Sequence, residues 1–582
     1  MALPGVKLNV LDGSLNLQAA GNAQTVLYLS CGLGGTAFSL LSYGDQQQLR
    51  QELIGGELAE LANYGLDVGG GPVMAMPMPP TVRGGIGPVV HVGGGTGTMT
   101  VTAAPQISIT VTTVIDGVLG VAAFAFKLGN GLNSPPVISD AAWSSTGYRV
   151  PGTYVTLVFV AGTYHATTPT DVYVVGADGV VSHPSGTGPA VPTFTASPVD
   201  EYELVVTIVL DGALGTMQFT YTLDGTVANT SSTIISSVGG VYAIPGSGLV
   251  LTFAGTFFSD ETYSARTIGP TFSGTDLAAA FTLLKSTYLA QSSYAMIAIN
   301  GAPADAAAWA AQATVIQAQA EALFNLGVFV RCFNAGPTVG TIHADGTGDI
   351  TIDSADTDSI VVAARATVNT PRDVLCAGDW RMSSTLSGLE FRRNAMWAAA
   401  ARASAHESSE DIGAVQDGAV TGAIKLYRDE NATPAFDAAG IVCLRTFTGG
   451  GTSGVYITEG LTGALATSDF YRLANGRVID VACGVVLANA RPLVLAKIPT
   501  TTRNNFPGVI TERKAQQIEG KLAGALHTVL IDRDPADATD VDVVVNRTHN
   551  VLSDGQLILS VSAQPFAYAR TVTANIGLKV IT

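Results

Sequence analysis

Few residues in this 582-residue chain stand at spacings that do chemistry. The nearest approach to a phosphate cradle is SCGLGGTA (30–37), where Gly32-x-Gly34-x-x-Ala37 follows a strand-like run. A dinucleotide loop needs those backbone N–H groups to open a helix. The next residues, FSLLSYG, do not read as one, no acidic residue closes a second strand, and no Gly-x-x-x-x-Gly-Lys-Ser/Thr occurs. An acidic cluster, HADGTGDITIDSADTD (343–358), holds His343, Asp345, Asp349, Asp353, Asp356 and Asp358. On a strand Asp349 and Asp353 share a face, and a hard cation accepts such oxygens. The spacing is not that of an EF-hand loop, so a solvated acidic loop is the preferred reading. The seven histidines form no HExxH, and GTSG (451–454) lacks the Gly-x-Ser-x-Gly spacing of a nucleophile elbow. No nucleophile, base and orienting group share a local signature. The expectation is a non-enzyme without catalytic, cofactor or metal residues.

Composition points the same way. Only 13% of residues are charged while 47% are hydrophobic, and the mean hydropathy is +0.34. An ordinary soluble domain carries about 25% charged residues, so a lone subunit would expose much apolar surface, which usually marks contacts. A membrane protein is not expected: the best span candidate, TVLYLSCGLGGTAFSLL (25–41), is broken by glycines, and MALPGVKLNV lacks signal-peptide character. The net charge of −17 without a basic block argues against nucleic-acid binding. Cys31, Cys332, Cys376, Cys443 and Cys483 are odd in number and lack a CxxC pair, which predicts free thiols.

The elements that must position these residues alternate in texture. Residues 1–23 are a weakly patterned lead, read as an N-terminal arm. VLYLSCGL predicts a strand, 45–64 a helix kinked at two glycines, and PVMAMPM a second strand, which opens an α/β sheet over 24–104. Residues 84–104 are Gly-rich and predict turns and short strands. An internal repeat follows. ISITVTTVIDGVLGVAAFAFKL (107–128) recurs as YELVVTIVLDGALGTMQFTYTL (202–223), so that Asp116-Gly117 returns 95 residues on as Asp211-Gly212. YRVPGTYVTLVFVAGTY (148–164) recurs as YAIPGSGLVLTFAGTFF (242–258). Alternating β-branched runs with Asp-Gly and Pro-Gly turns predict two tandem β-sandwich or β-barrel modules, 105–190 and 191–270. Helix–strand alternation then resumes over 271–435: helices at 276–290 and 303–326, strands YAMIAIN (294–300) and GVFVRCF (327–333), and a helix at 390–410 with Phe391, Met396 and Trp397 on its apolar side. The remainder, 436–582, reads as α+β: helices near 469–489 and 509–530, strands VDVVV (541–545) and QLILSVSAQ (556–564), and a last apolar run IGLKVI (576–581). The fold class is therefore multidomain α/β (α+β) with two inserted all-β modules.

Four stretches in order carry a family resemblance. VLYLSCGLGGTAF, a helix and PVMAMPM come first. PTFSGTDLAAAFTLL (270–284) follows the second β module. GGGTSGVYITEGLTGA (449–464) leads to FYRLANGRVIDVACGVVLANA (470–490), with Arg472, Arg477 and Asp480. ITERKAQQIEGKLAGAL and a terminal strand close the chain. In this layout, over 24–80 and 270–582 and best over 436–582, the chain resembles the sheath proteins of contractile bacteriophage tails and related injection systems. The resemblance implies homo-oligomeric stacked rings or a helical sheath around a tail tube protein, with baseplate and tail terminator partners. It implies a place in the virion after synthesis in the host bacterial cytoplasm, and a bistable rearrangement that drives the tube through the cell envelope. It also implies that 1–23 and the strand arm Ile576, Gly577, Leu578, Lys579, Val580 and Ile581 pair with neighbouring subunits; the alternatives are a frayed terminus for 1–23 and an ordinary edge strand of its own domain for 576–581. The helix near 509–530, with Glu512, Arg513, Lys514, Glu519 and Lys521, would face the tube; a solvated face is the alternative. The rival readings are a β-rich adhesin or receptor-binding structural protein and, behind it, a hydrolase or nucleotide-binding enzyme resting on SCGLGGTA and the acidic cluster.

Overall fold

The computed structural model describes residues 25–69, 71–87, 89–167, 169–185, 192–223, 230–301, 303, 305–337, 357–447, 453–501 and 508–570. The protein is a mixed α/β chain with many strands in several sheets. The first run of uninterrupted apolar residues forms β1 (Val26–Cys31), buried along its whole length as a central parallel strand must be. β2 (Leu41–Tyr43), α1 (Gln46–Leu53), α2 (Glu57–Gly69) and β3 (Val73–Met78) follow. The expected kink between the two glycines is a full break: α1 ends at Ile54 (φ 65°), and α2 starts at Glu57 after Gly56 (φ 85°).

The sheet is completed only beyond residue 290. β4 (Met296–Ile299), β5 (Arg331–Ala335) and β6 (Asp373–Cys376) give the order β2-β3-β1-β4-β5-β6, all parallel except the edge strand β2. Residues alternate between two cores. Val26 and Tyr28 pack with α2, while Leu27 and Leu29 pack with α3 (Gly274–Lys285) and α4 (Ala306–Asn325) on the other face. The expected helix at 390–410 is half strand. β7 (Asp379–Ser383) pairs with β8 (Glu390–Asn394) and β9 (Ala423–Leu426), and α5 (Met396–Ala405) begins only after Asn394. Phe391 therefore lies on a strand and packs into the second β unit, whereas Met396 and Trp397 are buried in the α/β core. The run Glu390-Phe-Arg-Arg-Asn394 fits neither period well, which is why the helical pattern of the following alanines swallowed it.

Between β3 and α3 the chain makes its long β excursion. The stem is closed where Val82 and Thr271 exchange backbone hydrogen bonds (2.9 Å each), and Thr81 donates to Asp276 in the Ser273/Asp276 capping box of α3. Two β units lie beyond the stem, each with its own apolar core. In the first, Ile109–Ile115 pairs with Ala123–Leu128 and Val172–Val175; in the second, Glu203–Leu210 pairs with Gln218–Leu223 and Thr262–Ile268. The Asp-Gly pairs are not hairpin turns. Asp116 and Asp211 each accept a backbone N–H from a distant loop, at Ala166 and Ser259, and the following glycines start short strands that cross to another sheet.

The division of the sequence at 104/105 and at 190/191 is crossed by strand pairing. Gly85–Ile86 and Val90–Val92 pair with Thr262–Ile268 of the second unit. Thr98–Ala103, which leads directly into the first unit, pairs with Leu249–Ala254 of the second. Thr193–Thr195, which leads into the second, pairs with Thr156–Val158 of the first.

The chain ends in a layer of α6 (Leu473–Ala490), α7 (Glu512–Leu530) and a hairpin of β10 (Asp540–Val545) with β11 (Leu559–Gln564). The apolar stripe Ala515, Ile518, Leu522, Leu526 and Leu530 of α7 meets Val541, Val543, Val545, Val561 and Ala563 of the hairpin in one core. The terminal run 576–581 lies outside the described residues.

Candidate functional site: a filled crevice and an open sheet edge

In an open parallel sheet, ligands bind beyond the carboxyl ends of the strands where the strand order reverses. Here that point lies between β1 and β4, which take the chain to opposite halves of the sheet. Ser30 near the end of β1, Asn300 just after β4 and Glu57 at the start of α2 converge there. Asn300 Nδ2 donates to Glu57 Oε2 (2.9 Å) and to Ser30 Oγ (3.0 Å), and Trp397 Nε1 donates to Asn300 Oδ1 (3.1 Å). The β excursion fills the space a ligand would take. Asp200, from the segment joining the two β units, accepts both Nη atoms of the buried Arg393 at 2.8 Å. Arg393 lies 3.9 Å from Glu57 Oε1, with its guanidinium over Phe391 and Trp397. From the first β unit, Arg149 donates to the carbonyl of Gly32 (3.2 Å). Burial, and then the neighbouring Asp200 charge, push the Glu57 carboxyl up to about 8, against the pull of Arg393.

The glycine loop beside this crevice is no phosphate cradle. Leu33 N donates to Gly55 O (3.0 Å) and Gly34 N to Leu53 O (2.8 Å), so these N–H groups are spent at the carboxyl end of α1. A Cβ on Gly34 would stand 2.3 Å from the Glu52 carbonyl oxygen: the glycine is there for close packing. Of the acidic cluster, His343, Asp345, Asp349, Asp353 and Asp356 lie outside the described residues. Asp358 is described, and both its oxygens accept from Arg428 Nε at 3.0 Å. Among the described residues no group of three His, Cys, Asp or Glu side chains could hold a metal ion. All five cysteines are free, and Cys31, Cys332, Cys376 and Cys443 are buried.

The C-terminal layer is fixed to the sheet by buried charge. Asp480 on α6 accepts from Arg331 of β5 (2.5 and 3.1 Å) and from Arg372 (3.0 Å). Arg477, one turn earlier, donates to the carbonyls of Ala403 and His406 (2.8 Å each), and burial lowers its pKa to about 10. Arg472 pairs with Glu459 at 2.6 Å. The three polar residues that the sheath resemblance singled out, Arg472 just before this helix and Arg477 and Asp480 on it, therefore each anchor it to the core. The same stretch, Leu473–Leu493, is apolar enough by length and composition to cross a membrane, but most of it is buried inside the protein.

Outside this anchorage the layer presents two features. The solvent side of α7 carries Glu512, Arg513, Gln516, Gln517, Gly520, Lys521, Gly524 and Thr528. Of the five residues expected to face a partner, Glu512 and Glu519 are each tied to Arg547 at 2.7 Å; Arg513 and Lys521 are exposed, and Lys514 is half-buried. The second feature is the β10–β11 hairpin: among the described strands each pairs only with the other, and the outer edge of β10 is covered only at its end, where Val545 N donates to Glu519 Oε1 (2.7 Å) and Arg547 Nη1 donates to Val545 O (3.1 Å). After β11 the chain turns back to the core, where Tyr568 donates to the Ser409 carbonyl and Arg570 pairs with Asp437 (2.8 Å) and Glu459 (2.7 Å).

No family model and no curated protein matches this chain. Solved structures do. Its structural neighbours include sheath tail proteins. The sheath tail protein of Desulfitobacterium hafniense aligns over 97% of this chain and 100% of its own, at 13% identity and a TM-score of 0.38. The sheath tail protein Lin1278 of Listeria innocua aligns over 94% of this chain and 96% of its own, at 11% identity and the same score of 0.38. Scores of that size mark a loose likeness, and the functional reading rests on the chain's own residues.

The crevice network was not foreseen from sequence. Its signal was present: in a chain with 13% charge, Asp200-Glu201-x-Glu203 and Arg392-Arg393 interrupt apolar runs, and such charges are retained in an interior only when they pair.

Proposed function

We propose that this chain is the structural subunit of a contractile tail sheath, polymerising helically around an inner tube and contracting to drive that tube through a host envelope. The observation that carries the reading is the β10–β11 hairpin, whose two edges have no partner among the described strands. A two-stranded sheet is marginal by itself and its edges are templates for added strands. Segments 1–23 and 576–581, both outside the described residues, are the proposed donors, reaching neighbouring subunits by β-augmentation. The α/β sheet with its C-terminal layer is the proposed sheath core, and the two β units its inserted modules. The exposed side of α7, with Arg513 and Lys521 accessible, is the proposed tube-facing surface. The filled crevice agrees with a machine that stores its energy at assembly and needs no nucleotide.

The test is electron microscopy of the full chain beside a version lacking residues 572–582, each with and without the tube protein. Tubes or stacked rings that vanish on truncation support the reading. Discrete particles from both chains, even with the tube protein present, defeat it. One observation favours the adhesin reading: the two β units repeat an exposed apolar pair, Val114-Ile115 and Val209-Leu210. That reading expects discrete particles whose binding to a surface is lost on charging those four positions.

A further inference from the structure

The duplicated β units have exchanged strands. Thr98–Ala103 and Thr193–Thr195 are equivalent, each standing directly before the first long strand of its unit, 95 residues apart. Had each stayed at home, Thr98–Ala103 would pair with Thr156–Val158, and Thr193–Thr195 with Leu249–Ala254. The opposite holds. Met99 faces Phe253 and Val101 faces Leu251, while Phe194 faces Leu157. The cores follow the strands: Met99 is buried in the second unit's core, and Phe194 packs against the first unit's. By the repeat, Leu157 corresponds to Leu251, so the two registers differ by two residues. An even shift keeps the same faces inward.

The two connectors cross at Gly248. Ala104 N donates to Gly248 O and Val199 N to Ser247 O (2.9 Å each). Gly248 has φ +75°, and a Cβ there would lie 2.9 Å from Ser197 O and 3.4 Å from both Ala104 O and Val199 N. Both connectors thus press on one α-carbon. The second connector runs on into Asp200, the residue held in the crevice by Arg393.

We propose that this reciprocal exchange is a clasp that makes the two β units one rigid body: neither unit has a complete small sheet without the other's lead strand, so neither swings or opens alone. The short connectors that follow the lead strands, 104–108 and 196–202, are the locking pieces.

Two measurements on the full chain test it. The first is oxidative cross-linking of introduced cysteines. Thr100→Cys with Thr252→Cys, and Thr156→Cys with Thr195→Cys, are expected to cross-link within one chain, and the unexchanged combinations Thr100→Cys with Thr156→Cys and Thr195→Cys with Thr252→Cys are not. Cross-linking of an unexchanged pair, or covalent dimers from the exchanged pairs, overturns the proposal. The second is native-state hydrogen exchange with increasing urea. In the unmodified chain, 98–103, 156–158, 193–195 and 249–254 are expected to open at one common free energy; two separate openings overturn the proposal. Gly248→Ala is expected to lower protection in all four segments. Gly246→Ala carries the same left-handed strain (φ +74°) with open space around it, and is expected to act only near 241–254. Confinement of the Gly248→Ala effect to that local stretch also overturns the clasp.

Discussion

Two buried arginines, Arg331 and Arg372, converge on Asp480. Replacing it by alanine leaves Arg331 and Arg372 without a carboxylate in a dry interior. A broken buried pair costs about 3–5 kcal/mol, so Asp480→Ala is expected to lower the free energy of unfolding by that amount, read as a lower urea midpoint with the slope unchanged. Glu57 makes a pH-dependent prediction. Its folded pKa, about 8, lies above the ordinary carboxylate value of 4.5. Between those values the folded chain holds a proton that the unfolded chain has lost, so stability falls as pH rises from 4.5 to 8. The groups facing it are Ser30, Asn300, Asp200, Glu201 and Arg393. Glu57→Gln is expected to flatten that part of the stability–pH curve, read by thermal unfolding at several pH values; an unchanged curve would refute the assignment. At this scale the sequence was least legible. Glu57 and Asp200 are 143 positions apart, and no periodicity reveals that a linker carboxylate and a helix N-terminus share one arginine.

Among the elements, legibility followed pattern length. α4 and α7 have long apolar stripes and lie within a few residues of expectation, whereas β8 was absorbed into a helix because five residues are too few to establish a period of two. The Gly32–Ala37 loop had the right letters for phosphate, but its N–H groups are aimed at α1. ATP or NAD is therefore expected to leave the melting temperature unchanged, since a ligand stabilises only the state it binds. Gly34→Ala, which overpacks the loop against the Glu52 carbonyl, is expected to cost about 1–3 kcal/mol. The hairpin depends on Glu519, which accepts Val545 N (2.7 Å) and two nitrogens of Arg547. Glu519→Ala is expected to reduce hydrogen-exchange protection across 540–545 and 559–564 without touching the parallel sheet.

For the whole molecule, the sequence conveyed a mixed α/β chain with many strands in several sheets. It could not convey that the parts interlock, because strand exchange leaves each unit's composition and alternation untouched. Arg393 is the rivet between the β pair and the sheet. Arg393→Met strands Asp200 without its cation, and the expected result is a larger radius of gyration in small-angle X-ray scattering as the pair lifts from the sheet. Gly248→Ala addresses a different joint, so the two variants separate loosening between the units from loosening of both from the core.

The crossing of the lead strands also fixes an order of events on the ribosome. Thr98–Ala103 emerges long before its partner Leu249–Ala254 has been made, a delay on the order of ten seconds at ordinary elongation rates. β1 waits longer still for β4. During that interval a strand with an open edge stands next to the nascent first unit, whose own small sheet offers the nearest vacant place. Any such early pairing has to be undone before Thr98–Ala103 takes its place beside Leu249–Ala254. A chain arrested before residue 249 is expected to hold Thr98–Ala103 in the unexchanged pairing, and to release it once synthesis resumes.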